Sequence, residues 1–200
     1  MASQLEIYNK ALSRIGAGRV RVETEKSQAR IECDSAWVEL HEGVLRAHDW
    51  NFARHTIAGV ALSGTPLQTR WAYEHKYPSN CMFVRYIYTD TPDDPHEHEI
   101  ALSTDDPTVK AIYSNVESPL IVYTRRVDHT YMWDPSFTNA VAWKLASEIA
   151  IPLTQSEKRA QLALQGYFAA IQVARAENIR EGKWDILGSD AVDPLTASRA

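Results

Sequence analysis

The hydrophobic period changes twice along this chain, and those two changes constrain its fold more than any other feature. Near the start, Leu5, Tyr8, Leu12 and Ile15 recur at spacings of three and four, the signature of one apolar helical stripe. Ser3-Gln4-Leu5-Glu6 has the form of a capping box at its beginning, and Gly16-Ala17-Gly18 supplies a left-handed stop at its end. A polar link from Arg19 to Lys26 leads to a second helix, Ser27 to His48, with Cys33, Ala36, Trp37, Leu40, Val44 and Ala47 on one face. Gly43 interrupts that helix at a cost of about 1 kcal/mol relative to Ala, which either close packing against another helix or mere tolerance would explain.

From Asp49 the pattern shortens to strands separated by turns. Asn51–Leu62, Trp71–Tyr77, Met82–Tyr88, Val109–Tyr113 and Leu120–Thr124 are expected as strands, and Ser63-Gly64-Thr65-Pro66 and Tyr77-Pro78-Ser79-Asn80 as turns. Trp71, Tyr73, His75 and Tyr77 fall on alternate positions and are expected to share one strand face. Helix resumes at Asp134-Pro135, with Phe137, Val141, Leu145 and Ile149 as its stripe and Ile151-Pro152 as its stop. Thr154-Gln155-Ser156-Glu157 then has the form of a second capping box. It opens a long helix reaching about Glu181, with Ala160, Leu164, Tyr167, Ile171 and Ala174 inward.

Two helices, a strand block and two further helices indicate an α+β fold. The expected architecture is a four-helix scaffold from 1–48 and 134–182, an inserted antiparallel β-rich module over 49–133, and an extended tail over 183–200. The tail is dotted with Trp184, Ile186, Leu187, Val192 and Leu195. A chain of 200 residues buries a core without staples, so Cys33 and Cys81 are expected as buried, reduced thiols. The start of the chain shows no basic segment followed by an apolar run, which predicts no signal peptide and folding in the cytoplasm. A net charge of −5 argues against a generally basic nucleic-acid binder, yet suits a protein that surrounds DNA without gripping it.

Chemistry-bearing patterns are sparse. Pro95-His96-Glu97-His98-Glu99 sits in a stretch that has no Lys or Arg between Arg85 and Lys110. It is expected to be a solvated acidic loop, with a weak divalent-cation site at His96 and His98 as the minority alternative. His41, His48, His55 and His75 occur outside any Ser/His/Asp or Cys/His context. The Gly-x-Gly at Gly16 to Gly18 follows a helix rather than a strand and lacks the third glycine of a phosphate cradle. No catalytic residue, cofactor or metal is expected.

Five segments resemble the tail tubular protein A family of short-tailed bacteriophages. They are Tyr8-Asn9-Lys10-Ala11-Leu12-Ser13-Arg14-Ile15-Gly16-Ala17, Leu45-Arg46-Ala47-His48-Asp49-Trp50-Asn51-Phe52-Ala53, and Tyr77-Pro78-Ser79-Asn80-Cys81-Met82. Asp134-Pro135-Ser136-Phe137 and Ala146-Ser147-Glu148-Ile149-Ala150-Ile151-Pro152-Leu153-Thr154 complete the set. The resemblance runs from about Tyr8 to Glu181 and leaves 89–106 and the tail unmatched. It implies a structural virion protein, the head-to-tail adaptor, in a ring, usually of twelve identical subunits. That ring lies between the portal protein and the tail nozzle protein, and double-stranded DNA passes through its channel. Under it, Trp184, Ile186, Leu187, Val192 and Leu195 are expected to dock on the portal, and the strand block to face the nozzle. The alternatives are a virion-associated cell-wall hydrolase and a regulatory binding module.

Overall fold

A computed structural model describes residues 2–22, 24–63, 66, 69–92 and 94–182. Its elements are α1 (Gln4–Arg14), α2 (Gln28–Arg46), β1 (Arg54–Ala58), β2 (Tyr73–Lys76), β3 (Cys81–Tyr88), β4 (His98–Leu102), β5 (Lys110–Ser114), β6 (Leu120–Arg125), α3 (Pro135–Thr154) and α4 (Glu157–Gly182). The mixed α+β class is as the two changes of period require.

Local chemistry sets most helix ends. The Ser3 hydroxyl accepts the Glu6 N–H and the Glu6 carboxylate accepts the Ser3 N–H, which closes the capping box. Gly16, at φ 67°, ends the first helix as a residue without a Cβ can. The third helix does not stop at Pro152. It continues to Thr154 and ends at Gln155, which has φ 52°. A proline near a helix end removes one backbone bond and leaves the turn after it free to form, so it weakens the last turn without breaking it. Thr154 therefore belongs to α3, its hydroxyl donating to the Ala150 carbonyl, and Ser156 caps α4 instead.

The helices share one core. α3 is the central helix: it lies along α4 and packs against both α1 and α2, which touch each other only slightly. The four residues expected on its stripe, Phe137, Val141, Leu145 and Ile149, are all buried. An aromatic chain crosses this core, with Tyr8 edge-on to Trp37, Trp37 stacked on Trp133, and Phe137 edge-on to both Trp133 and Trp50. Trp50, Ala53, Val127 and Trp133, which flank the strands in sequence, are part of the helical core.

The strands form two three-stranded antiparallel sheets rather than one, ordered β1-β6-β3 and β2-β5-β4. A bridge between Ile87 and His96 links β3 to the approach to β4. The Leu62 and Lys76 N–H groups donate to the Glu74 and Val60 carbonyls and link the segment after β1 to β2. These links join the two sheets, and Val84, Ile87, Ile121 and Tyr123 of the first form one buried cluster with Ile112 of the second. One expectation fails here. The acidic stretch holds β4, recruited by pairing with β5 from His98↔Ser114 to Leu102↔Lys110. Strand β2 buries one residue on each face, His75 and Glu74. The Thr104 N–H reaches over to the Glu74 carboxylate and closes the face that would otherwise meet water.

Candidate assembly surface

The outer side of α4 is the most unusual surface of the molecule. Residues 160–174 contain no Asp, Glu, Lys, Arg or His, although most of their side chains face solvent. Leu162 is 56% exposed, Phe168 58% and Val173 54%. A helix whose only task is to cover its own core carries charge on its far side. The inward side is built from small residues: Ala163, Ala170 and Ala174 are buried. A Cβ on Gly166 would lie 2.6 Å from the Trp143 ring. Leu164, expected inward, is instead among the exposed apolar residues. Apolar residues on nearly every side of α4 leave the period unable to select a face, and the small residues win because they let α4 approach α3 closely.

The helical repeat divides the exposed residues into two flanks. Leu162, Ala169 and Val173, spaced by seven and four, form a ridge on the side of α1. That side is marked by Arg159, whose guanidinium donates to the Ile15 carbonyl at 2.8 Å. Leu164, Phe168 and Ile179, spaced by four and eleven, lie on the side of α2. There Arg175 donates to the Ala47 carbonyl at 2.9 Å.

Between α4 and α2 runs a valley of about 450 Å³, lined by Ala36, Leu40, Gly43 and Val44, with Tyr167 opposite. Its floor is the Lys144–Glu148 ion pair of α3 at 2.6 Å. Nothing lies within 4 Å of where a Cβ on Gly43 would sit, so no helix of the same chain packs closely there.

The residues singled out for chemistry are dispersed. His41 is buried between Trp37 and Trp133, with Nδ1 2.8 Å from the Trp37 carbonyl and Nε2 3.7 Å from Asp128. His48 meets the Asn178 amide; burial, and then Arg175, hold its pKa below the ordinary histidine range. His55 is tilted against Tyr123. His75 is buried, with Nε2 2.9 Å from the Val116 carbonyl, and burial lowers its pKa. His96 contacts the Thr89 hydroxyl, and His98 opens β4. Among the described residues no three His, Cys, Asp or Glu side chains are grouped to hold a metal ion. Cys33 and Cys81 are free thiols, Cys33 fully buried with its pKa pushed up to about 12, and Cys81 only half-buried. Trp184, Ile186, Leu187, Val192 and Leu195 lie outside the described residues. No described helix is long and apolar enough to cross a membrane.

The segments that carry the family resemblance lie at joints of the fold. Asn9 brackets Val20, accepting its N–H and donating to its carbonyl, both at 2.9 Å. Asn80 accepts the Tyr123 hydroxyl while its carbonyl accepts the Arg126 N–H. Trp50 donates to the Val44 carbonyl at 3.0 Å, and its own carbonyl accepts Arg85 at 2.7 Å. Neither protein-family models nor curated proteins match the chain.

The ridge and the valley were not anticipated from the sequence. The signal was present: a long helix with no charge from Ala160 to Ala174 cannot be covering only its own core.

Proposed function

We propose that this chain is a structural subunit of a phage virion, the head-to-tail adaptor of a short-tailed phage, and that it acts as one copy in a ring of twelve. The observation that carries the reading is the uncharged outward side of α4. Leu162 and Val173 on one flank and Leu164, Phe168 and Ile179 on the other leave apolar side chains exposed on both sides of one helix, the kind of surface that marks an interaction site. The ordered family resemblance supports the same reading and supplies the partners: the portal protein on one side, the tail nozzle protein on the other, and double-stranded DNA passing through. A net charge of −5 suits a wall that DNA must slide past, because holding phosphates requires cations. Portal docking falls to Trp184, Ile186, Leu187, Val192 and Leu195, and the strand module faces the nozzle.

The test is to mix the purified chain with the portal protein of the same virus and examine the product by negative-stain electron microscopy. A ring capping the portal, lost when 183–200 is removed, is the expected result. Absence of any complex overturns the reading, and release of soluble fragments from peptidoglycan by the chain alone would favour the hydrolase.

A further inference from the structure

The two flanks of α4 differ in shape. One is a ridge: Leu162, Ala169 and Val173 stand on a helix that leans against α3 through small residues. The other borders a valley whose α2 wall is lowered by Ala36 and Gly43. Gly43 costs α2 about 1 kcal/mol and relieves no contact within the chain. A glycine kept in a helix against its propensity, facing open space, has the form of a seat for an approaching helix.

We propose that the ridge of α4 in one copy packs into the α2–α4 valley of the next, so that the contact between subunits is heterologous and runs through Gly43. This rests on the adaptor reading and assigns the surfaces that close its ring.

The occupant is a second copy because each copy carries both halves of the contact on opposite sides of the same helix. Filling one valley leaves another exposed, and the chain of contacts ends only when the ring closes. Polarity agrees. The ridge residues Leu162, Ala169 and Val173 are uncharged, and the Ala36, Leu40, Gly43 and Val44 wall they would meet is uncharged too, with Glu148 below it already paired to Lys144. Size agrees as well. α4 has 26 residues, about 39 Å at ~1.5 Å per residue. The ridge from Leu162 to Val173 rises about 17 Å at ~1.5 Å per residue, enough to cover the α2 wall from Ala36 to Val44, about 12 Å long.

The experiment uses the full chain, alone and with the portal protein. Gly43→Leu fills the seat and Val173→Glu charges the ridge. Both positions are exposed, and circular dichroism melts verify that each variant folds. Sedimentation velocity and negative-stain imaging should show at least a tenfold drop in the ring fraction for each. A chain with both Gly43→Cys and Val173→Cys should oxidise to a ladder of covalent multimers, whereas each single variant should not. Rings that form undiminished in both variants, with no ladder, overturn the ridge-and-valley contact and leave the adaptor reading standing. A wild-type chain that never assembles, with or without portal, overturns both.

Discussion

Asn178, near the end of α4, accepts the backbone N–H of Asn51 at 2.7 Å, and the Asn51 side chain donates back to the Asn178 carbonyl at 2.6 Å. Asn178 also donates to the Asp49 carbonyl at 3.0 Å. One buried amide thus ties the last helix to the point where the second helix hands over to the strands. Asn178→Ala leaves the Asn51 N–H without its acceptor. The expected loss is about 1–3 kcal/mol, measured by urea denaturation, and Asn178→Asp should not recover it, because its buried carboxylate would face the Asp49 carbonyl to which the amide donates.

Two glycines should respond with opposite signs. At Gly166 a methyl group meets the Trp143 ring at 2.6 Å, and Trp143 is held from the other side by the Arg14 guanidinium, 4.0 Å from its centre. Gly166→Ala should cost about 1–3 kcal/mol through overpacking. At Gly43 the methyl group enters open space, and Gly43→Ala should stabilise the isolated chain by about 1 kcal/mol. Thermal melts of the two variants side by side decide both signs.

Arg85 couples the strand module to the helices. Its guanidinium donates to the Trp50 carbonyl at 2.7 Å and to the Thr124 hydroxyl at 2.9 Å, beside Asp49 at 3.5 Å. Arg85→Met keeps the apolar stem and removes those bonds, so the Trp50 carbonyl loses its Arg85 donor. A loss of about 1–3 kcal/mol is expected, and tryptophan fluorescence should report the looser seating of Trp50.

Acid should destabilise the fold through His75. Its Nε2–H donates to the Val116 carbonyl and its Nδ1 is buried without a partner, so a second proton would have nothing to bond. The folded pKa therefore lies below 6.5, while the unfolded chain takes up a proton near 6.5. Stability from this site is complete above about pH 6.5 and declines as the pH falls through the folded value, at up to ~1.4 kcal/mol per pH unit. His48, also lowered, acts in the same direction. The melting temperature should fall between pH 7 and 5, and His75→Gln, which retains a donor for Val116, should flatten that fall. An unchanged slope in the variant would assign the acid sensitivity elsewhere.

The helices were legible where one face was apolar and the ends were marked. Phe137, Val141, Leu145 and Ile149 all reach the core, and Ser3, Glu6 and Gly16 set the ends of α1. These are local effects, decided within a few residues of chain. β4 was not legible, because His98-Glu99-Ile100-Ala101-Leu102 becomes a strand only when β5 offers its edge. The burial of Glu74 was not legible either, because Thr104 comes from a distant loop to bond it. Asp134 shows the same division on a smaller scale. It occupies the helix-capping position its type prefers, yet its side chain makes no cap bond, and burial, with Glu181 and Glu177 nearby, raises its pKa.

The amino-acid order by itself determined the four helices, the α+β class and the absence of charge from Ala160 to Ala174 of α4. Tertiary structure alone decided which side of α4 faces α3, where β4 pairs, and that Gly43 opens onto empty space. Propensity and capping act over one or two turns of chain, whereas burial depends on which distant surface arrives first and fits closest. A helix apolar on most sides leaves that choice to its neighbours.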